Sequence, residues 1–253
     1  MLFITFIIAS ITLLERKILS LIQRRIGPSF VGFKGRLQYL ADALKLIFKG
    51  IIVPYNSNKL WFIIIPSFTA ALCYTFWTNS IWGPSLSIFE LEYNIVFANI
   101  LSLFFGYCII LAGYFSKNKY AFLASIRCGV LMINLEILLG LLFFNLIIIV
   151  ESFSFSFFNI FQENFWLIFL VLPLFGLVLL IFLLETNRAP FDLSEAESEL
   201  VAGYSTEYGG FYFALFYLGE YFHLFFFSMI FSIILFGGWE YPSFFFLNNN
   251  FFF

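Results

Sequence analysis

The chain is poor in the residues that soluble catalysis relies on. In 253 positions it has one histidine, His223, and three cysteines, Cys73, Cys108 and Cys128, each alone in an apolar stretch with no C-x-x-C pair. That usage gives no metal or disulfide signal. Charge is scarce as well, at 11% of residues against 62% hydrophobic, with a mean hydropathy of +0.98. These values lie far outside those of soluble domains and exclude one. No basic n-region precedes the first apolar run, so no cleavable targeting segment is visible. The expectation is an all-α fold: a polytopic membrane helical bundle forming a single domain over residues 1–253. The 41 phenylalanines look like the codon bias of an AT-rich genome, with nearly all rings facing lipid or core.

What is present is apolar length. A helix needs roughly 20 residues to cross the hydrocarbon core. Residues 1–22, 60–80, 95–115, 122–149, 165–184 and 211–237 meet that need and predict about six spans. Pro66 and Pro173 are candidate kinks in the second and fifth, which membranes tolerate. Gly27, Pro28, Gly32 and Gly35 end the first helix and open a loop over 23–58. Within that loop, Leu37, Leu40, Ala41, Leu44, Ile47, Phe48 and Ile51 recur at spacings of three and four, opposite Asp42, Lys45 and Lys49. This is an amphipathic helix, expected in the membrane interface, although packing on a soluble partner gives the same pattern.

The 13 Lys and Arg residues segregate completely on this topology. Nine lie between Arg16 and Lys59, three are Lys117, Lys119 and Arg127, and the last is Arg188. The alternate loops carry Glu90, Glu92, Glu151, Glu163 and Glu240 and no cation. The positive-inside bias then puts the N-terminus outside and residues 185–210 inside.

Those inner residues contain the chemistry. ETNRAPFDLSEAESELVAGYSTEYG (185–209) holds Glu185, Asp192, Glu195, Glu197, Glu199 and Glu207 with Arg188 as the one cation. On a helix, Asp192, Glu195 and Glu199 fall at i, i+3 and i+7 and share a face. Clustered carboxylates in low dielectric can take up and release protons, which is the chemistry of a relay. A solvated acidic loop fits the composition equally well. Glu136 lies mid-way along the fourth span and Glu220 about ten residues into the sixth. Ionisable groups at that depth are functional candidates, and a structural hydrogen bond between helices is the alternative. A lone histidine in an apolar span, as His223 is, more often packs or hydrogen-bonds than ligates.

The run 185–210, followed by FALFYLGEY, resembles the signature of subunit 1 of respiratory NADH:ubiquinone oxidoreductase, complex I. ERKILSLIQRRIGPSFVGFKGRLQYLADALKL (15–46) resembles the first matrix-side loop of the same family. The resemblance implies a membrane-arm core subunit of the mitochondrial inner membrane, made inside the organelle, with ubiquinone as substrate. No cofactor would be bound in this chain, and FMN and iron–sulfur clusters would sit in partner subunits. It implies a quinone channel bordered by Arg16, Arg25 and Asp42, with Phe213 and Tyr217 as candidate lining. It also implies a proton relay in which Glu136 and Glu220 carry the carboxylates of the acidic run into the membrane arm. For the arginines, anchoring at the membrane face reads equally well from the residues alone.

The chain departs from the family at Leu135, where tyrosine is usual, at Arg24, usually apolar, and at Ile26, usually basic. The implied partners are hydrophilic-arm subunits at the quinone site, neighbouring membrane-arm subunits and phospholipid, with no nucleic acid. Family members typically continue for about two further spans beyond Gly237 and Gly238. The expectation is therefore a separately encoded chain docking against the sixth and first helices. The membrane subunit of an energy-converting hydrogenase would share the fold without necessarily the quinone. An ion transporter would need paired broken helices or internal repeats, which the sequence does not display.

Overall fold

In low dielectric every backbone amide needs a partner, and the helix satisfies all of them within one segment. A computed structural model describes residues 2–83, 91–186, 191 and 203–240. Its helices are α1 (Leu2–Ile22), α2 (Gln38–Phe48), α3 (Lys59–Thr78), α4 (Asn94–Ser116), α5 (Lys119–Val150), α6 (Phe155–Phe161), α7 (Leu167–Leu170), α8 (Leu172–Glu185) and α9 (Gly210–Phe236). Of these, α3, α4, α5 and α9 are long and apolar enough to cross a membrane. At 21 residues α1 has the length, but Glu15, Arg16 and Lys17 lie in its second half. The polytopic all-α bundle expected from hydropathy is what the chain forms.

Two pairings organise the bundle. Only Lys117 and Asn118 separate α4 from α5; Lys117 takes a left-handed conformation (φ 53°), and the Asn118 side chain accepts from the Tyr120 amide at 3.0 Å. The pair is close because small residues line the contact. A Cβ at Gly113 would fall 2.0 Å from the Ser125 hydroxyl, and one at Gly129 would fall 2.1 Å from Ile110. Such small-residue seams let membrane helices approach where hydrophobic burial gives no drive. Aromatic rings join α3 to α9 instead. Phe76 sits 4.8 Å from Phe226, and Trp77 stacks on Phe225 at 5.1 Å.

The fifth expected span differs from a single helix. It breaks at Val171 (φ −117°, ψ 30°), and Pro173 stands in the first turn of α8, where a missing N–H costs nothing. Pro66, by contrast, is carried inside a continuous α3. A short helix, α6, fills the connection after α5, which sequence periodicity did not reveal. Buried Gln162 follows it and bonds the Ile233 and Ile234 carbonyls at 3.1 and 3.0 Å while accepting from the Leu167 amide at 3.2 Å. This one side chain ties the α6–α7 connection to the end of α9, which Gly237 closes at φ 71°. The amphipathic helix α2 forms as expected, contacts α1 and α9, and leaves Leu44, Ile47 and Phe48 exposed.

Replacing Gly113 by leucine should separate α4 from α5 at a cost of about 1–3 kcal/mol and lower the amount of folded chain recovered from membranes. Gly176→Ala, at a helical position with no neighbour within 4 Å among the described residues, should leave recovery unchanged. Equal recovery of the two variants would show that the α4–α5 seam is not a tight contact.

Candidate functional site

The polar side chains of the bundle gather along α9. Its Tyr217, Glu220, Tyr221 and His223 fall within two turns, so they occupy a band about 9 Å long at 1.5 Å per residue. Together they meet groups from several different elements.

Nearest α1, the Tyr221 hydroxyl donates to the Glu15 carboxylate at 2.6 Å and stands 3.1 Å from the Tyr217 hydroxyl. Phe213 stacks on Tyr217 at 5.9 Å, extending the aromatic face toward the start of α9. One residue along α1, Arg16 is ion-paired with Asp42 of α2, whose other oxygen accepts from Gln38 at 3.0 Å. Both members of that pair are substantially exposed, so the pair itself contributes at most about 1 kcal/mol. It links α1 to α2. Arg25 stands apart from this pair, on an exposed turn, with its Nε donating to Gln23 at 2.7 Å.

One step along α9, Glu220 accepts a short hydrogen bond from Tyr204, which belongs to the 3₁₀ turn Gly203–Ser205. Glu207 accepts from the Asn118 amide group at the α4–α5 turn. Tyr208 stacks on Phe62 at 4.1 Å and donates to the Ala112 carbonyl at 3.2 Å. Burial pushes the Tyr208 phenol well above its ordinary value, so it stays a donor.

Deepest in the bundle, Glu136 of α5, Glu185 at the end of α8 and His223 of α9 converge. They are 3%, 1% and 2% exposed. His223 Nε2 lies 3.9 Å from Glu136 Oε1 and 3.8 Å from Glu185 Oε1, with donor atoms of all three inside 4.8 Å of one another. Ser102 of α4 stands next to Glu136, with its hydroxyl turned to the Asn99 carbonyl at 2.9 Å. Thus the hydroxyl beside this glutamate comes from α4, while neighbouring Leu135 is apolar and buried. A buried carboxylate pair of this kind can share and exchange a proton.

The sequence-predicted residues are therefore distributed unevenly. Glu136, Glu185 and Glu220 lie inside the bundle and Glu207 at its edge. Glu185 belongs to the buried trio rather than to the inner loop where the charge run placed it. Asp192, Glu195, Glu197 and Glu199 fall outside the described residues. Arg16 and Asp42 come together, and Phe213 and Tyr217 lie beside them on α9. Sequence reasoning did not single out Glu15, Tyr204, Tyr221 or Ser102 as site residues, and it read His223 as a packed or hydrogen-bonded residue. The i, i+4 spacing of Tyr217 and Tyr221 was the one available signal.

A family profile described as NADH dehydrogenase matches residues 1–253. The chain belongs to this family. It is similar to NADH-ubiquinone oxidoreductase chain 1 of Paramecium tetraurelia, with 65% identity over 98% of this chain and 96% of the relative. NADH-ubiquinone oxidoreductase chain 1 of Chondrus crispus matches at 39% identity over 93% of this chain and 72% of that relative. The protein of the same name from Dictyostelium citrinum matches at 40% over 91% and 72%.

The Tyr221–Glu15 bond joins α9 to α1 and should be measurable in a double-mutant cycle. Tyr221→Phe and Glu15→Gln are expected to couple by about 1.5–3 kcal/mol, the range of hydrogen bonds to charged groups, in the heat stability of the purified assembly. Strictly additive effects would show that the two side chains do not bond.

Proposed function

We propose that this chain is a membrane-arm core subunit of a proton-translocating NADH:ubiquinone oxidoreductase. In that assembly it forms part of the quinone channel and passes the consequence of quinone reduction into a carboxylate relay. The observation that carries this reading is the buried convergence of Glu136, Glu185 and His223, placed a short distance along α9 from the Glu15–Tyr221–Tyr217 group. Family membership supports it, because the relatives are NADH-ubiquinone oxidoreductase chains by name.

On this reading ubiquinone is the substrate, and the flavin and iron–sulfur clusters belong to partner subunits. Arg16 and Asp42 hold the corner between α1 and α2 at the channel mouth, with Phe213 and Tyr217 offering an aromatic wall to an isoprenoid tail. Arg25, on its exposed turn, contacts headgroups or a hydrophilic partner at the same face. Protons enter the relay from the acidic run, including Asp192, Glu195, Glu197 and Glu199, reach Glu207 and Glu220, and pass to the buried trio. Partners are the quinone-site hydrophilic subunits and the neighbouring membrane-arm subunits, in a phospholipid bilayer. The protein is a multi-pass constituent of the mitochondrial inner membrane, with the acidic run on the matrix side and the N-terminus opposite.

Glu136→Gln keeps the shape of the side chain and removes its proton exchange. In the assembled complex it should leave NADH oxidation by an artificial acceptor unchanged and lower quinone-linked proton translocation at least about tenfold, a threshold below the roughly 10²–10⁴-fold that acid–base participation contributes. Wild-type translocation in an assembled variant would overturn the relay.

A further inference from the structure

His223 is the chain's only histidine, and a relay of carboxylates alone gives it no task. Its surroundings nonetheless hold it in one orientation. The imidazole stacks on Phe105 with centroids 5.0 Å apart and planes 13° from parallel. Phe227 meets it edge-on at 4.6 Å, and Phe76 does so at 5.7 Å. A ring clamped by three others cannot turn Nε2 elsewhere without displacing one of them, and Nε2 is aimed between Glu136 and Glu185.

A purely packing role does not account for the arrangement. His223 Nε2 is buried with no hydrogen-bond partner among the described residues, while Glu136 has Ser102 and Glu185 as polar neighbours. Leaving such an atom unsatisfied costs about 1–3 kcal/mol, whereas a phenyl ring in place of the imidazole would fill the same aromatic cage at no such cost. The separations of 3.8 and 3.9 Å exceed a direct hydrogen bond by about 1 Å, so a carboxylate shift of that size brings either glutamate onto Nε2.

We propose that His223 is a third proton carrier, joining Glu185 to Glu136 across the interface of α8, α9 and α5. In the step, the O–H bond of the Glu185 carboxyl breaks and its proton forms an N–H bond at Nε2, with Nδ1 already protonated. The Nε2–H bond then breaks as the proton passes to the Glu136 carboxylate, which restores the neutral imidazole. One proton moves per passage, from the end of α8 to the middle of α5, and no charge accumulates on the ring. The same two bonds run in reverse for the opposite direction.

This inference rests on the relay reading, and the experiment separates the two. His223→Phe keeps the ring and its packing, and His223→Gln keeps hydrogen-bonding capacity; neither can carry a proton. Both should assemble into the complex at wild-type levels and oxidise NADH with an artificial acceptor normally. Both should lose proton translocation per NADH oxidised by at least about tenfold, matching Glu136→Gln measured alongside. Wild-type translocation in either His223 variant, with Glu136→Gln impaired, would overturn the role of His223 and leave the relay standing. Wild-type translocation in Glu136→Gln as well would overturn both. Failure of both His223 variants to assemble would assign the residue to packing and likewise overturn the proposal.

Discussion

Everything in this bundle answers to the cost of keeping a polar group away from water. Backbone amides meet that cost by forming helices, and side chains meet it by finding one another, so the few polar residues of an overwhelmingly apolar chain are drawn into a small number of shared sites. Gln162 shows the structural version of the rule. It is fully buried and spends its amide on helix-end groups of α9 and α7, where free carbonyls and amides would otherwise remain. Glu136, Glu185 and His223 show the other version. They are equally buried, yet His223 Nε2 finds no direct hydrogen bond among the described residues.

The position of Glu185 sharpens the point. A carboxylate at the last residue of a helix gains nothing from the macrodipole, which favours cations there. It ends α8, a 14-residue helix too short to cross about 30 Å of hydrocarbon by itself. The end of that short helix meets the middle of α5 and α9. Helix interruption in membranes is tolerated where the freed groups face protein, and α8 here delivers a carboxylate to mid-bundle depth.

Much of this was legible in the sequence, and for a simple reason. Hydrophobic length is a one-dimensional property, so α3, α4, α5 and α9 appeared within a few residues of their limits, and the stripe from Leu37 to Ile51 foretold α2. Glu136 and Glu220 stood out because charge in an apolar run is conspicuous. Convergence in space is not one-dimensional. Glu185 sat at the edge of a charge run and was grouped with its neighbours in sequence, although its neighbours in the fold lie about 40 to 50 positions away. His223 offered no pattern at all, since a single residue has no spacing. Arg25 and Arg16 looked alike as inner-face cations, yet only Arg16 lies on a helix facing α2 and finds Asp42. The break at Val171 carried a hint in Pro173, but Pro66 carried the same hint and α3 runs through it.

The arrangement along α9 also explains why one helix can serve both ends of the candidate pathway. Tyr221 reaches α1, Glu220 reaches the turn at Tyr204, and His223 reaches α5 and α8. Successive residues of a helix point about 100° apart, so a residue three positions on lies within one face-width of the first. Contacts to several different elements therefore fit within one turn without leaving the interior. Aromatic rings from α3 hold that turn rigidly through Tyr74 and Trp77 on Phe222, and Phe76 on His223. A displacement of the turn Gly203–Ser205 would act first on the Tyr204–Glu220 bond, and Glu220 adjoins Tyr221, the α1 contact, three residues before His223 of the buried trio. The acidic run leads into that turn in sequence. The one element of the site that is a single turn is thus also the one joined directly to the segment with the most carboxylates.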